Sequence, residues 1–227
     1  MSKIIQKIKF FFASPIIFND NSVHPITRDF GLSRGTPIDR HYIASFLQKN
    51  REMVKGTALE IAESAYTKQF DTGVTSFEIL HVDNSNRKAT IIGDLTKPET
   101  LPENEIDCFI CTQTLNFIFD YKKAIQGSYR LLKSGGVFLG TVAGLCQISR
   151  YDMDRWGDYW RFTDLSIKLL FEECFGVGNV HVETFGNAFA ANSIIQGIAV
   201  EDIENMNLLE AQDQDYQITI GIRAVKK

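Results

Sequence analysis

Four carboxylates punctuate the first half of the chain at places where acids can do chemistry. Glu60 and Glu63 flank the end of an apolar run, Thr57-Ala58-Leu59-Glu60-Ile61, while Asp83 and Asp94 follow the next two apolar runs. Carboxylates accept charge-assisted hydrogen bonds, so acids in this pattern suit a ligand that carries hydroxyl and amino groups. In an open α/β sheet a nucleotide-like ligand sits at the carboxyl ends of the strands. Asp83 lies 23 residues after Glu60, close to the spacing of the ribose-binding acid in a dinucleotide fold. The turn after Ile61 lacks the expected glycines, with Ala62, Ser64 and Ala65 in their places. Cβ atoms there crowd the space in which backbone would meet a ligand. Asp83 and Asp94 also suit plain turn capping, because Asp favours strand-end turns.

A second group of reactive side chains runs from Arg150 to Phe162. Arg150, Arg155 and Arg161 are interspersed with Asp152, Asp154 and Asp158 among Tyr151, Trp156, Tyr159 and Trp160. Aromatic faces stack on sugar rings or bases, and Arg forks grip carboxylate or phosphate bidentately. The competing reading is a lid whose Arg and Asp residues pair with each other while its rings pack on a helix. The histidines are less telling. His81 reads as a core or edge position of a strand and His181 as a surface one, whereas His24 and His41 come from the N-terminal side of any pocket.

Elements that would position these groups follow from periodicity and punctuation. Thr36-Pro37-Ile38-Asp39 starts a helix, with Thr36 as cap and Pro37 in the first turn, and Ile38, Tyr42, Ile43, Phe46 and Leu47 form its apolar stripe to about Asn50. Strands are predicted at Thr57–Ile61, Phe77–Val82, Ala89–Ile92, Asp107–Thr112 and Val137–Val142, then at Val180–Phe185 and Gln217–Val225. The fourth is almost wholly apolar, as a strand covered on both faces should be. A helix marked by Tyr121, Ala124, Ile125, Ser128 and Leu131 ends at Lys133 before Gly135-Gly136. Thr163 caps another, with Leu165, Leu169 and Leu170 read as facing inward, and a helical stretch covers Asn187 to Gln196. Only Asp83 to Lys88 separate the second and third strands. Parallel neighbours ordinarily need a dozen residues or more, so that pair is either a tight crossover or antiparallel.

Composition narrows the class. A 227-residue chain with 44% apolar and 23% charged residues suits one large globular domain. A net charge of −4 supplies no basic field for duplex nucleic acid. Cys108 and Cys111 form a lone C-x-x-C, and strand alternation sends them to opposite faces, so no metal site is expected. Reduced thiols fit the cytoplasm. Residues 1–34 divide into an amphipathic segment and a surface loop, ahead of an α/β domain at 35–227. Ile4, Ile5, Ile8, Phe11 and Phe12, interleaved with Lys3, Lys7 and Lys9, predict a helix packed on the domain. The same pattern in residues 3–12 suits peripheral contact with an anionic membrane.

The succession of elements resembles a class I S-adenosylmethionine-dependent methyltransferase of the broad type 11 kind. Leu59-Glu60-Ile61, Gly93-Asp94-Leu95 and Ile106-Asp107-Cys108-Phe109-Ile110 carry the likeness. Tyr129-Arg130-Leu131-Leu132-Lys133-Ser134-Gly135-Gly136-Val137-Phe138 carries it furthest, with Ser134 in place of the usual proline. Arg34-Gly35-Thr36-Pro37-Ile38-Asp39-Arg40 and the segment from Ser149 to Phe162 look like a subgroup associated with bacterial surface-polysaccharide glycosyltransferases. The resemblance implies a Rossmann-like, mostly parallel seven-stranded sheet with helices on both faces. Its last strand would be antiparallel and its link between strands two and three shortened. It implies S-adenosylmethionine as cofactor, with Glu60 facing the methionine end, Asp83 the ribose, Asp94 the adenine amino group, and Thr112 and Gln113 beneath the sulfur, beside Ala62. Residues 146–163 would be an acceptor lid, with Arg150, Tyr151, Arg155, Trp156, Tyr159, Trp160 and Arg161 lining it for a small-molecule or glycan acceptor. Asp152 and Asp154 are the candidate bases for a proton leaving that acceptor. Two other readings stay open: a non-catalytic module partnering a glycosyltransferase, and a metal-dependent glycosyltransferase using Asp152-Met153-Asp154 as a D-x-D pair.

Overall fold

A computed structural model describes residues 22–227; the amphipathic pattern at 3–12 lies outside the described residues. Strands β1 (Gly56–Ile61), β2 (Val74–His81), β3 (Ile91–Ile92), β4 (Ile106–Thr112), β5 (Leu132–Ala143), β6 (Val180–Phe185) and β7 (Thr219–Val225) form one sheet. Their spatial order is β3-β2-β1-β4-β5-β7-β6. β1 to β5 pair in parallel, and β7 runs antiparallel to both β5 and β6. The helices are α1 (Ile38–Lys49), α2 (Ala65–Phe70), α3 (Tyr121–Leu131), α4 (Arg150–Met153), α5 (Asp164–Phe175), α6 (Ala188–Gln196) and α7 (Asn207–Glu210). This is the Rossmann-like architecture implied by the resemblance.

Alternation along β4 explains the layering. Phe109 and Cys111 enter a core shared with Ile125 of α3 and Phe171 of α5. Cys108 and Ile110 enter the opposite core, shared with Phe46 of α1 and Ile194 of α6. The sheet therefore lies between the two halves of the C-x-x-C, and burial pushes both thiols up to about 12.

The short link after β2 is a tight parallel crossover, in which Leu80 pairs with Ile91 and His81 with Ile92. Side-chain turns replace the usual helix: the Ser85 amide donates to the Asp83 carboxylate at 2.9 Å and the Lys88 amide to Asn86 at 3.0 Å. The cost is a third strand of only two residues, shorter than the predicted Ala89–Ile92.

Three local readings change. Thr36 does not cap α1; its hydroxyl donates to Glu201 at 2.8 Å, and Pro37 stands at the cap position. α3 ends at Leu131 and β5 begins at once, so Lys133 is a strand residue paired with Asp107 at 2.7 Å. Thr163 does cap α5, but Leu165 and Leu169 are exposed, and Ile167, Phe171 and Phe175 face the core. Apolar residues occur all round this helix, so its spacing alone picks no face. The ring of Phe171, 4.9 Å from that of Phe138, fixes the inward side.

Residues 22–34 form a loop, as expected, and it is sewn to the far end of the chain. The Thr27 amide donates to the Gln196 carbonyl, and Arg34 grips Asp202 bidentately at 2.6 and 2.7 Å. Among the described residues no helix is long and apolar enough to cross a membrane.

Candidate functional site

A cavity of about 730 Å³ opens at the carboxyl ends of β1, β2, β3 and β4, within the range of small-molecule sites. Glu60, Ala62, Asp94, Thr112 and Gln113, five of the six positions expected to meet a cofactor, line it. From the segment after β5 only Asp152, Trp156 and Tyr159 do.

The β1 turn shows what the absent glycine demands. Ala62 has a φ of 64°, a left-handed conformation that glycine adopts freely and alanine resists. Its amide donates to the Leu80 carbonyl, and Asn86 donates to its carbonyl at 2.7 Å, so both neighbours of the turn hold it there. Gln113, directly after β4, has a φ of 47° and donates its amide to the Thr141 carbonyl. Two strained non-glycine residues thus border one cavity, a distribution characteristic of functional sites.

Glu60 is buried, and its carboxylate accepts from the Tyr66 amide (3.2 Å), the Thr67 amide (2.8 Å) and the Thr67 hydroxyl (2.9 Å). It thereby closes the start of α2, where no side chain of the helix's own cap does so. Burial pushes this carboxyl upward, opposed by those hydrogen bonds. Asp94 accepts from the Thr96 amide and hydroxyl, at 2.9 and 2.8 Å, and pairs with Lys97 at 3.3 Å. Burial raises its carboxyl, and these contacts outweigh that to leave it below the usual range.

Asp83 departs from its expected place. It does not line the cavity, because the helix-less crossover uses its carboxylate to close the turn on Ser85. The wall there is made instead by His81 and Val82. His81, read from sequence as a core or edge residue, therefore lines the cavity. His41 is held by Glu210 at 3.0 Å and His24 by Arg28 at 3.1 Å, and neither reaches the cavity.

The Arg-rich segment mostly spends its charges on itself. Arg161 forks onto buried Asp158, with Nη2 to Oδ2 at 2.9 Å, and donates to the Gln147 carbonyl at 2.8 Å. The Ser149 amide donates to the same Asp158 carboxylate at 3.0 Å. Arg155 stacks on Tyr151 with 3.5 Å from guanidinium carbon to ring centroid, and Arg150 lies outside the cavity. Trp160 donates its indole N–H to the Phe119 carbonyl at 3.2 Å and packs edge-on to Tyr121. Of the expected acceptor residues, Arg150, Tyr151, Arg155, Trp160 and Arg161 are thus placed away from the cavity lining.

Asp152 and Asp154 part company for a geometric reason. Residues two apart on a helix do not face each other. Asp152 lines the cavity and accepts from the Ser149 hydroxyl at 2.6 Å, whereas Asp154 is the C-cap of α4 and does not line it. Of the two acids of Asp152-Met153-Asp154, only Asp152 therefore faces the cavity.

The lid is nonetheless well anchored. The amides of Tyr159 and Trp160 both donate to the Asn116 carbonyl, tying it to the loop after β4. Trp156 reaches across to His81 of β2, ring centroids 6.3 Å apart. Sequence reasoning missed Arg40, Tyr66, Phe119 and Asp120, which also line the cavity. Arg40 ends the Arg34–Arg40 motif and donates to the Tyr66 hydroxyl at 3.1 Å. Asp120 was signalled only by its place at the start of α3, where it caps the Lys123 amide.

Residues 56–140 match the family model described as a methyltransferase domain. The match runs from β1 into β5 and so includes the strand ends that form the cavity floor. A rat relative, "Arginine-hydroxylase NDUFAF5, mitochondrial", is 29% identical over 123 residues, 54% of this chain and 32% of its own length. Its human counterpart is 28% identical over 125 residues, 54% of this chain and 31% of its own. The chain thus spans about a third of the length of these curated relatives. Solved structures share the fold. Phosphoethanolamine N-methyltransferase 2 of Haemonchus contortus, in complex with S-adenosyl-L-methionine, superposes with a TM-score of 0.54 at 15% identity, over 82% of this chain and 52% of that one. A SAM-dependent methyltransferase from Archaeoglobus fulgidus gives 0.53 at 13% identity, over 82% and 94%.

Proposed function

We propose that this protein is an S-adenosylmethionine-dependent methyltransferase acting on a small-molecule or carbohydrate-type acceptor. The observation that carries the reading is the cavity at the strand ends, bordered by backbone held left-handed at Ala62 and Gln113. The methyltransferase-domain match over the same strands and the cofactor in the Haemonchus contortus structure support it.

The lining fits the cofactor's chemistry. Arg40, the one arginine among the described lining residues, suits a carboxylate. Asp94 suits an amino group and Thr112 a hydroxyl. The left-handed turns at Ala62 and Gln113 let backbone border the ligand. S-adenosylmethionine, when bound, supplies an electrophilic methyl group on a sulfonium. The chain's part is to orient the acceptor and to take its proton. Asp152 keeps Oδ2 on the Ser149 hydroxyl, which leaves Oδ1 as the atom to receive a proton from the acceptor. Trp156 and Tyr159, both about half exposed, offer ring faces of the kind sugars stack on.

A cytoplasmic setting and a glycosyltransferase partner in polysaccharide synthesis belong to the same proposal; they rest on thiol usage and on the sequence of the lid. Calorimetry with S-adenosylhomocysteine tests the core of it. Saturable micromolar binding is expected, and absence of heat at millimolar ligand overturns the assignment. One observation favours a non-catalytic module of the same fold that docks on a glycosyltransferase: the Glu60 carboxylate is engaged by α2. Turnover of S-adenosylmethionine by the isolated protein excludes that alternative.

A further inference from the structure

The lid was expected to bring arginine forks to the acceptor, which would favour an anionic group. The folded chain reverses that charge. Arg155 and Arg161 are turned onto Tyr151 and Asp158, and the lid's charged contribution to the cavity is Asp152. To the same cavity the loop entering α3 contributes Asp120 and the exposed ring of Phe119. Phe119 meets Tyr159 edge-on at 5.4 Å, so the loop that carries Asp120 and the lid that carries Asp152 meet along the cavity. Asp120 is 44% exposed on its side chain, with Lys123 at 3.2 Å as its partner in the next helical turn. Of the described lining residues, only Arg40 carries a fixed positive charge, and it sits beside Tyr66 on the β1 side.

We propose that the acceptor end, framed by Asp120, Asp152, Phe119, Trp156 and Tyr159, selects an acceptor bearing a protonated amine and rejects one bearing a carboxylate or phosphate. Ring faces attract cations through their quadrupole. Carboxylates accept charge-assisted hydrogen bonds from ammonium and repel anions. Electrostatic complementarity of this kind discriminates between partners by penalising the wrong charge. The inference names the acceptor class for the proposed methyltransferase and depends on that reading only in calling the ligand an acceptor.

Three sugars that differ in charge provide the test: glucosamine, glucose and glucuronate, titrated at neutral pH against the full chain with saturating S-adenosylhomocysteine. The protein's two tryptophans, Trp156 and Trp160, both lie in the lid, so intrinsic fluorescence reads out this end of the cavity. Glucosamine is expected to bind about tenfold more tightly than glucuronate, with glucose between them. The double variant Asp120→Asn/Asp152→Asn should bring the three within about twofold, and Asn preserves the cap on α3. Equal or tighter binding of glucuronate overturns the proposal, as does an unchanged preference in the double variant or a lack of response to all three sugars. Repeating the titrations without S-adenosylhomocysteine separates the two ideas. Failure of cofactor binding alone sinks the methyltransferase reading and leaves the charge preference to be judged by the sugars.

Discussion

The floor and the roof of the cavity use charged and strained residues in opposite ways. On the floor, the ends of β1, β3 and β4 present Glu60, Asp94 and Gln113 directly to the cavity. In the roof, Arg161, Asp158, Arg155 and Tyr151 satisfy one another and leave only Asp152 and two rings facing inward. A parallel sheet fixes its strand ends through backbone pairing, so acids there face the cavity even while Glu60 also closes the start of α2 and Asp94 its own turn. A segment with little regular structure has to use its side chains to hold its own shape. The richer cluster in sequence is therefore the poorer one in the site.

This contrast can be broken from either end. The largest effect is expected in the roof, where Asp158→Ala leaves the Arg161 guanidinium partly buried without its partner. A loss of about 3 kcal/mol in urea unfolding is expected, and a loss under about 0.5 kcal/mol, the range of ordinary surface changes, would remove the clamp from the account. On the floor, Ala62→Val forces a β-branched residue into the left-handed region and should cost about 2 kcal/mol. It should also abolish S-adenosylhomocysteine binding by calorimetry. Ala62→Gly, in contrast, should stay within about 0.5 kcal/mol, since relieved strain offsets added chain freedom.

A smaller, pH-dependent signature separates the two regions further. Burial raises the Asp158 carboxyl, but the Arg161 fork and the Ser149 amide outweigh that and hold it below the usual carboxylate range. A carboxyl lowered on folding contributes stability above its unfolded value, about pH 4, and loses that contribution as pH falls through the folded value. Acid unfolding of the wild type should therefore show a steeper limb below about pH 4 than Asp158→Ala does. Matching limbs would deny the pair its role. Least of all should change on Arg150→Gln: stability within about 0.5 kcal/mol and unaltered S-adenosylhomocysteine binding, because Arg150 lies outside the cavity.

Much of the floor was legible in the chain before it was folded. The strand-end positions of Glu60, Asp94, Thr112 and Gln113 follow from apolar runs and their punctuation, and β4 declared itself by being apolar on both faces. Ala62 could be flagged as a missing glycine, but that its backbone keeps glycine's φ depends on Leu80 and Asn86, which lie on the next strand and its turn. Asp83 stands at the expected spacing across α2, but the helix-less link after β2 turns its carboxylate onto Ser85, a fate that spacing does not record. The roof was opaque for a different reason: whether an arginine pairs with an aspartate three residues away or with a ligand is a contest of geometry that composition does not record. On α5, a helix apolar on every side hid its inward face until the ring of Phe138 chose Phe171.

The double duty of Glu60 has a dynamic corollary. Its carboxylate holds the amides of Tyr66 and Thr67 at the mouth of a six-residue helix that has no side-chain cap of its own. A ligand that draws the carboxylate toward itself loosens those two amide protons, and one that leaves it in place slows their exchange with solvent. Deuterium uptake at Tyr66 and Thr67 is thus a built-in gauge of which way a bound molecule pulls on the end of the first strand.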